Sequence, residues 1–134
     1  MKIYLDIDGV ILTKDLKPAN YLYEFLKYIT SKHPVFWLTT HCKGNSDSTV
    51  NFLSRFLDPK IIEIAKNIQS TNWSTAKTEA IDYQSPFLWF DDYLFEFEKK
   101  DLIKHDSINS WIKVDLLANP NQLLDFINDF PIVV

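Results

Sequence analysis

Four short apolar runs, set apart by helix-length stretches and ending in polar residues, constrain this chain more than any other feature. They read as strands over Lys2 to Ile7 (around Ile3-Tyr4-Leu5), Val35 to Leu38, Phe87 to Phe90 and Trp111 to Val114. A strand with one wet face alternates apolar and polar residues, whereas largely continuous apolar runs mark strands covered on both faces. Repeated alternation of strand and helix supplies those covers and argues for a parallel sheet. The expected fold class is α/β, a three-layer α/β/α sandwich around a mostly parallel, Rossmann-like sheet. With 134 residues, 46% of them hydrophobic and 15% aromatic, the chain can build one real core and is not a disordered segment.

The intervening stretches carry helix signals. Pro18 suits a first helical turn, and Tyr21, Leu22, Phe25, Leu26 and Ile29 form one apolar stripe. Asp47 to Leu57 and Lys60 to Ile68 predict two helices split by Asp58-Pro59. Ser74 or Thr75 is placed to cap a short helix through Asp82, and Tyr93 to Lys100 predicts another. Asn119-Pro120 opens a last helix with Leu123, Leu124, Ile127 and Phe130 facing inward. No repeat, linker or low-complexity tract divides residues 1–134, so a single domain is expected. The longest apolar runs fall far short of the roughly 20 residues that span a bilayer, so no membrane partner is expected. The single Cys42 and the absence of a signal-peptide pattern suit a reducing cytoplasm.

In a parallel sheet, ligands gather at the carboxyl ends of the strands. Asp6/Asp8, Thr39/Thr40 and Asp91/Asp92 all fall there. Asp6 and Asp8, two apart, are expected on one face of the strand. Like charges that close raise each other's pKa unless a cation stands between them. Gly9, one of two glycines in the chain, lets the backbone turn tightly against a ligand. Asp6, Asp8, Asp91 and Asp92 would together hold a hard cation such as Mg²⁺. Asp6 can then act as a nucleophile that becomes an aspartyl-phosphate, with Asp8 as general acid and base. A threonine hydroxyl could bind a phosphoryl oxygen, and Lys77 could neutralise developing charge.

These residues carry a family resemblance. Asp6-Ile7-Asp8-Gly9-Val10 after the first strand, Trp37-Leu38-Thr39-Thr40 at the second, Lys77, and Trp89-Phe90-Asp91-Asp92 at the third resemble the haloacid dehalogenase-like (HAD) superfamily. The resemblance implies Asp6 as nucleophile, Asp8 as acid/base, Thr39 ahead of Thr40 as the phosphate-binding hydroxyl, and Lys77 as the phosphate-binding lysine. It implies a Mg²⁺ site built on Asp6, the Asp8 carbonyl and the Asp91-Asp92 pair, with Asp92 the direct ligand and Asp91 its support. The Trp-Leu-Thr-Thr motif is also similar to small phosphatase-like domains, some of them linked to RNA repair. Here His41 stands where those domains lead one to expect an aromatic residue. The gaps between motifs leave no room for a separate cap domain. The implied activity is a Mg²⁺-dependent phosphomonoester hydrolase with an open site, suited to a macromolecular or partner-covered substrate.

Other readings compete with this one. An EF-hand loop beginning at Asp6 would need glycine and glutamate where Ile11 and Lys17 stand. A receiver domain has its acids, hydroxyl and lysine in another order. A metal-dependent nuclease or nucleic-acid end-processing enzyme could use the same acids, although a net charge of −4 lends such a partner no support. A phosphate- or metal-binding module without turnover would lack a reason to keep both Asp6 and Asp8. His41 is placed to line the site and Cys42 to fill the core. Trp37 and Trp89 are expected in the core, Trp73 in local packing, and His33 and His105 on the surface.

Overall fold

The computed structural model of the chain describes residues 1–41 and 44–129; Cys42 and Phe130 lie outside that range. Strands β1 (Lys2–Leu5), β2 (Val35–Trp37), β3 (Phe87–Asp91) and β4 (Trp111–Lys113) form one sheet in the order β2-β1-β3-β4. All three strand pairings are parallel. The helices are α1 (Leu22–Lys32), α2 (Ser46–Leu53), α3 (Pro59–Ala65), α4 (Glu96–Lys104) and α5 (Gln122–Asp129). A 3₁₀ turn at Lys77–Ala80 precedes β3, and another at Ile108–Ser110 precedes β4.

Alternate residues of the strands feed two apolar layers. Ile3, Leu5, Val35, Trp37, Leu88 and Phe90 pack with Phe25, Ile29, Ile61 and Leu123 from α1, α3 and α5. Tyr4, Phe87 and Trp89 pack on the other face with Leu102 of α4 and Ile81 beyond the first 3₁₀ turn. These layers make the α/β sandwich, and both Trp37 and Trp89 are fully buried. Burying a large aromatic stabilises by about 1.5–3 kcal/mol, so the two tryptophans fasten both faces. Every residue of β3 is buried, the expected state of a central strand covered on both sides.

Local chemistry shifts several boundaries. β1 stops at Leu5, because Ile7 turns inward and its carbonyl accepts the N–H groups of Val10, Ile11 and Leu12. Those three residues are fully buried. Pro18 pairs with Leu12 in an isolated bridge rather than starting α1. Tyr21 adopts a left-handed conformation ahead of α1 and is exposed, so it leaves the apolar stripe. Asn45 caps α2, its side chain accepting from the N–H of Asp47 and Ser48 at 3.0 and 3.3 Å. Pro59 opens α3. The helix expected from Tyr93 begins only at Glu96, because Asp92 and Tyr93 direct their N–H groups to the Asp91 carboxylate. Phe126 joins Leu123 as a buried residue of α5. His33, expected at the surface, is buried, with Nδ1 3.1 Å from the Met1 amine. Among the described residues, no helix is long and apolar enough to cross a membrane.

Candidate active site

The strand order creates the site. From β1 the chain goes to β2 on one side and then crosses to β3 on the other, so the order reverses between β1 and β3. Crevices outside the carboxyl ends of strands form at such a switch point. Leu5 pairs with Phe90 in the register, which brings the next residues, Asp6 and Asp91, level across the crevice. The Asp6 N–H donates to the Phe90 carbonyl at 3.0 Å, fixing the backbone there. Both carboxyl groups are buried, at 6% and 2% residue exposure.

Asp6, Asp91 and Asp92 form the acid cluster, with one ligand oxygen from each lying within 4.8 Å of the others. Lys77 enters from the 3₁₀ turn: its Nζ lies 2.7 Å from Asp91 Oδ2 and 3.4 Å from Asp6 Oδ1. Burial, followed by the neighbouring Asp6, pushes the Asp91 carboxyl well above its ordinary value, against the pull of Lys77. Burial also works to lower the Lys77 ammonium, but Asp6 and Asp91 outweigh it and hold it above its ordinary value. Lys77 thus pairs with two of the three carboxyl groups in the cluster. The cluster's donors are all oxygen and could hold a hard divalent cation.

Gly9 explains how Asp92 comes so close. At φ +82° its backbone turns the chain, and a methyl group added there would sit 2.6 Å from Asp92 Oδ2 and 2.7 Å from Asp92 Cβ. Asp91 serves Asp92 in turn. Its Oδ1 accepts the Asp92 N–H at 2.8 Å, while its Oδ2 is held by Lys77.

Asp8 stands apart. It lies beyond the end of β1, and its side chain is 57% exposed. Its carboxylate is outside the three-acid cluster and meets His41, whose Nε2 lies 2.9 Å from Asp8 Oδ2. Thr39 is completely buried, with Oγ1 accepting the His41 N–H at 3.3 Å. Thr40, one residue on, is exposed.

Two glutamates missed by the sequence reading brace the segments around Lys77. The Glu79 carboxylate accepts the N–H groups of Ser74, Thr75 and Ala76 at 2.8–3.1 Å. These bonds, with the Ser74 hydroxyl, lower it to about 2. Ser74 and Thr75 are thus capped by a later residue rather than capping. Glu98 is buried in the first turn of α4 and accepts the Phe95 N–H at 3.2 Å. Burial outweighs that bond and the nearby Lys77 charge and raises its carboxyl. A glutamate at the third position of a helix is the signal that could have found Glu98.

An open cleft of about 530 Å³ adjoins the acids, edged by Gly9 and Asp92. Lys14, Lys17 and Lys113 line it together with Asp15, Asp92 and Asp115, so its charges balance. No protein-family model matches this chain, and no curated protein or solved structure matches it either.

Proposed function

We propose that this chain is a divalent-metal-dependent phosphomonoester hydrolase of the haloacid dehalogenase-like type, with Asp6 as nucleophile. The observation that carries this reading is the buried Asp6 carboxylate at the sheet's switch point, with Lys77 3.4 Å away and Asp91 and Asp92 beside it. Asp6, Asp92 and the Asp8 carbonyl would hold Mg²⁺, with Asp91 as support. When bound, the ion supplies positive charge against which a phosphoryl group and a carboxylate can approach.

An Asp6 carboxylate oxygen attacks phosphorus, and the bond to the leaving oxygen breaks. Asp8 gives that oxygen its proton. The resulting aspartyl-phosphate is then hydrolysed by a water whose proton returns to Asp8, freeing phosphate and restoring Asp6. Lys77 balances charge on the phosphoryl oxygens without itself reacting. We assign the phosphoryl-binding hydroxyl to Thr39: its Oγ1 accepts from His41, so its own hydrogen remains to donate. Thr40 belongs to the exposed rim. The segment between β1 and β2 holds only α1, and the one between β2 and β3 holds α2, α3 and a 3₁₀ turn. A site so little covered favours a phosphorylated macromolecule, or a substrate that a partner covers.

The test is hydrolysis of p-nitrophenyl phosphate, lost with EDTA and with Asp6→Asn. Sustained turnover by Asp6→Asn would remove Asp6 as nucleophile. A labelled oligonucleotide bearing a terminal phosphate provides the second arm. Release of phosphate from an intact chain supports the proposal, and cleavage of the chain would replace it with a two-metal nuclease.

A further inference from the structure

Resting on that hydrolase reading, we propose that His41 is the positioning residue of Asp8: it pins one carboxyl oxygen and leaves the other to carry the proton. His41 is held through both its backbone and its ring. Its N–H donates to Thr39 Oγ1 at 3.3 Å, and its carbonyl accepts from the Thr49 hydroxyl at 3.3 Å. Its ring stacks on Phe52 of α2, with centroids 4.1 Å apart and planes 15° from parallel. Phe52 is backed on its own helix side by Arg55, 5.8 Å from the ring centre, and by Phe56. Phe52 thus covers one face of the imidazole and limits its rotation. That leaves Nε2 aimed at Asp8 Oδ2, 2.9 Å away.

Asp8 needs such a partner more than its neighbours do. Asp6 and Asp91 are fixed by burial and by Lys77, whereas the Asp8 side chain is 57% exposed and has no other side-chain bond among the described residues. An exposed aspartate samples several rotamers, and proton transfer requires its oxygen within hydrogen-bond reach of the leaving group. With the Nε2–H donating to Oδ2, Oδ1 keeps the transferable proton. It hands that proton to the departing oxygen and later receives one from water, so the proton count closes on Asp8 and His41 is unchanged throughout. His41 also ties the two halves of the site together, since the same residue orders Thr39 through its N–H and Asp8 through its ring.

Leaving-group dependence separates positioning from bulk structure. kcat/KM reads the steps through departure of the leaving group. A nitrophenolate departs with little help, while an alkoxide needs the proton. His41→Phe keeps a ring to stack on Phe52 and removes the nitrogen; His41→Gln restores an N–H donor. On an alkyl phosphate such as glycerol phosphate, His41→Phe should lose about 30-fold in kcat/KM, a part of the roughly 10²–10⁴-fold that a general acid contributes, because Asp8 itself remains. On p-nitrophenyl phosphate the loss should be about threefold, and His41→Gln should recover most of the alkyl rate. Equal losses on both esters would overturn the proposal in favour of a structural role. So would a His41→Phe protein that matches the wild type on the alkyl ester. A wild-type protein with Mg²⁺ that hydrolyses neither ester overturns the hydrolase reading and this role together, which separates that failure from failure of the His41 role alone.

Discussion

Gly9→Ala tests the close approach on which the acid cluster depends. Two costs add at this position. The backbone stands at φ +82°, and a side chain in left-handed space costs roughly 1–2 kcal/mol. The new methyl would also lie 2.6 to 2.7 Å from Asp92 Oδ2, Cγ and Cβ. Because Asp92 Cβ belongs to the rigid part of the side chain, rotation cannot relieve that contact, and the backbone after β3 must move. Overpacking of this kind costs about 1–3 kcal/mol, for a total of about 2–5 kcal/mol. Gly44 is the internal control: its φ is +79°, but an added methyl would meet nothing nearer than Asn72 Cγ at 3.7 Å. Gly44→Ala should therefore carry the backbone cost alone, about 1–2 kcal/mol.

Urea unfolding monitored by tryptophan fluorescence gives both values, compared at constant m. The excess of Gly9→Ala over Gly44→Ala is the steric part. Asp92→Gly removes both the Cβ and the carboxylate, so Gly9→Ala made in that background should lose about 1–3 kcal/mol less than in the wild type. Equal destabilisation at the two glycines, together with additivity in the double variant, would refute the contact and the account of how Asp92 reaches Asp6.

Three further outcomes are expected. Lys77→Met leaves Asp6 and Asp91 buried without their cation, and should destabilise by about 3–5 kcal/mol; thermal melts with and without Mg²⁺ should show part of that loss recovered by the ion. Glu98→Ala frees the Phe95 N–H and should cost about 1–3 kcal/mol, with Glu98→Gln closer to wild type in urea. His33 is held below its ordinary 6.5 by burial, then by the N-terminal amine and Lys32, so the unfolded chain binds a proton first. Its contribution is present above pH 6.5 and lost as pH falls through the folded value; His33→Gln should flatten that part of the urea-midpoint profile between pH 7 and 5.

Strand and helix were legible in the residues because their signals are local. Continuous apolar runs such as Phe87 to Phe90 name buried strands, and the spacing of Leu22, Phe25, Leu26 and Ile29 names a helix whatever surrounds it. Pro59 likewise marks the start of α3. The same logic placed Asp6, Thr39 and Asp91 at strand ends, and the parallel class of the sheet told where those ends meet. What proved illegible was set by contacts distant in sequence. Three N–H groups converge on the Ile7 carbonyl where the strand has ended, and Asp8 there meets His41, 33 positions later. His33 read as an ordinary surface residue until the Met1 amine came against the imidazole, and Glu98 is buried only because α4 packs on the turn that carries Lys77.

By itself, then, the sequence determined that this chain forms a covered parallel sheet with acids at its strand ends. Periodicity and apolarity act over a few residues, and they need no partner to be read. Only the tertiary structure decided which acids share one crevice. That depends on strand order and register, which align Asp6 with Asp91, and on the absence of a side chain at Gly9, which admits Asp92.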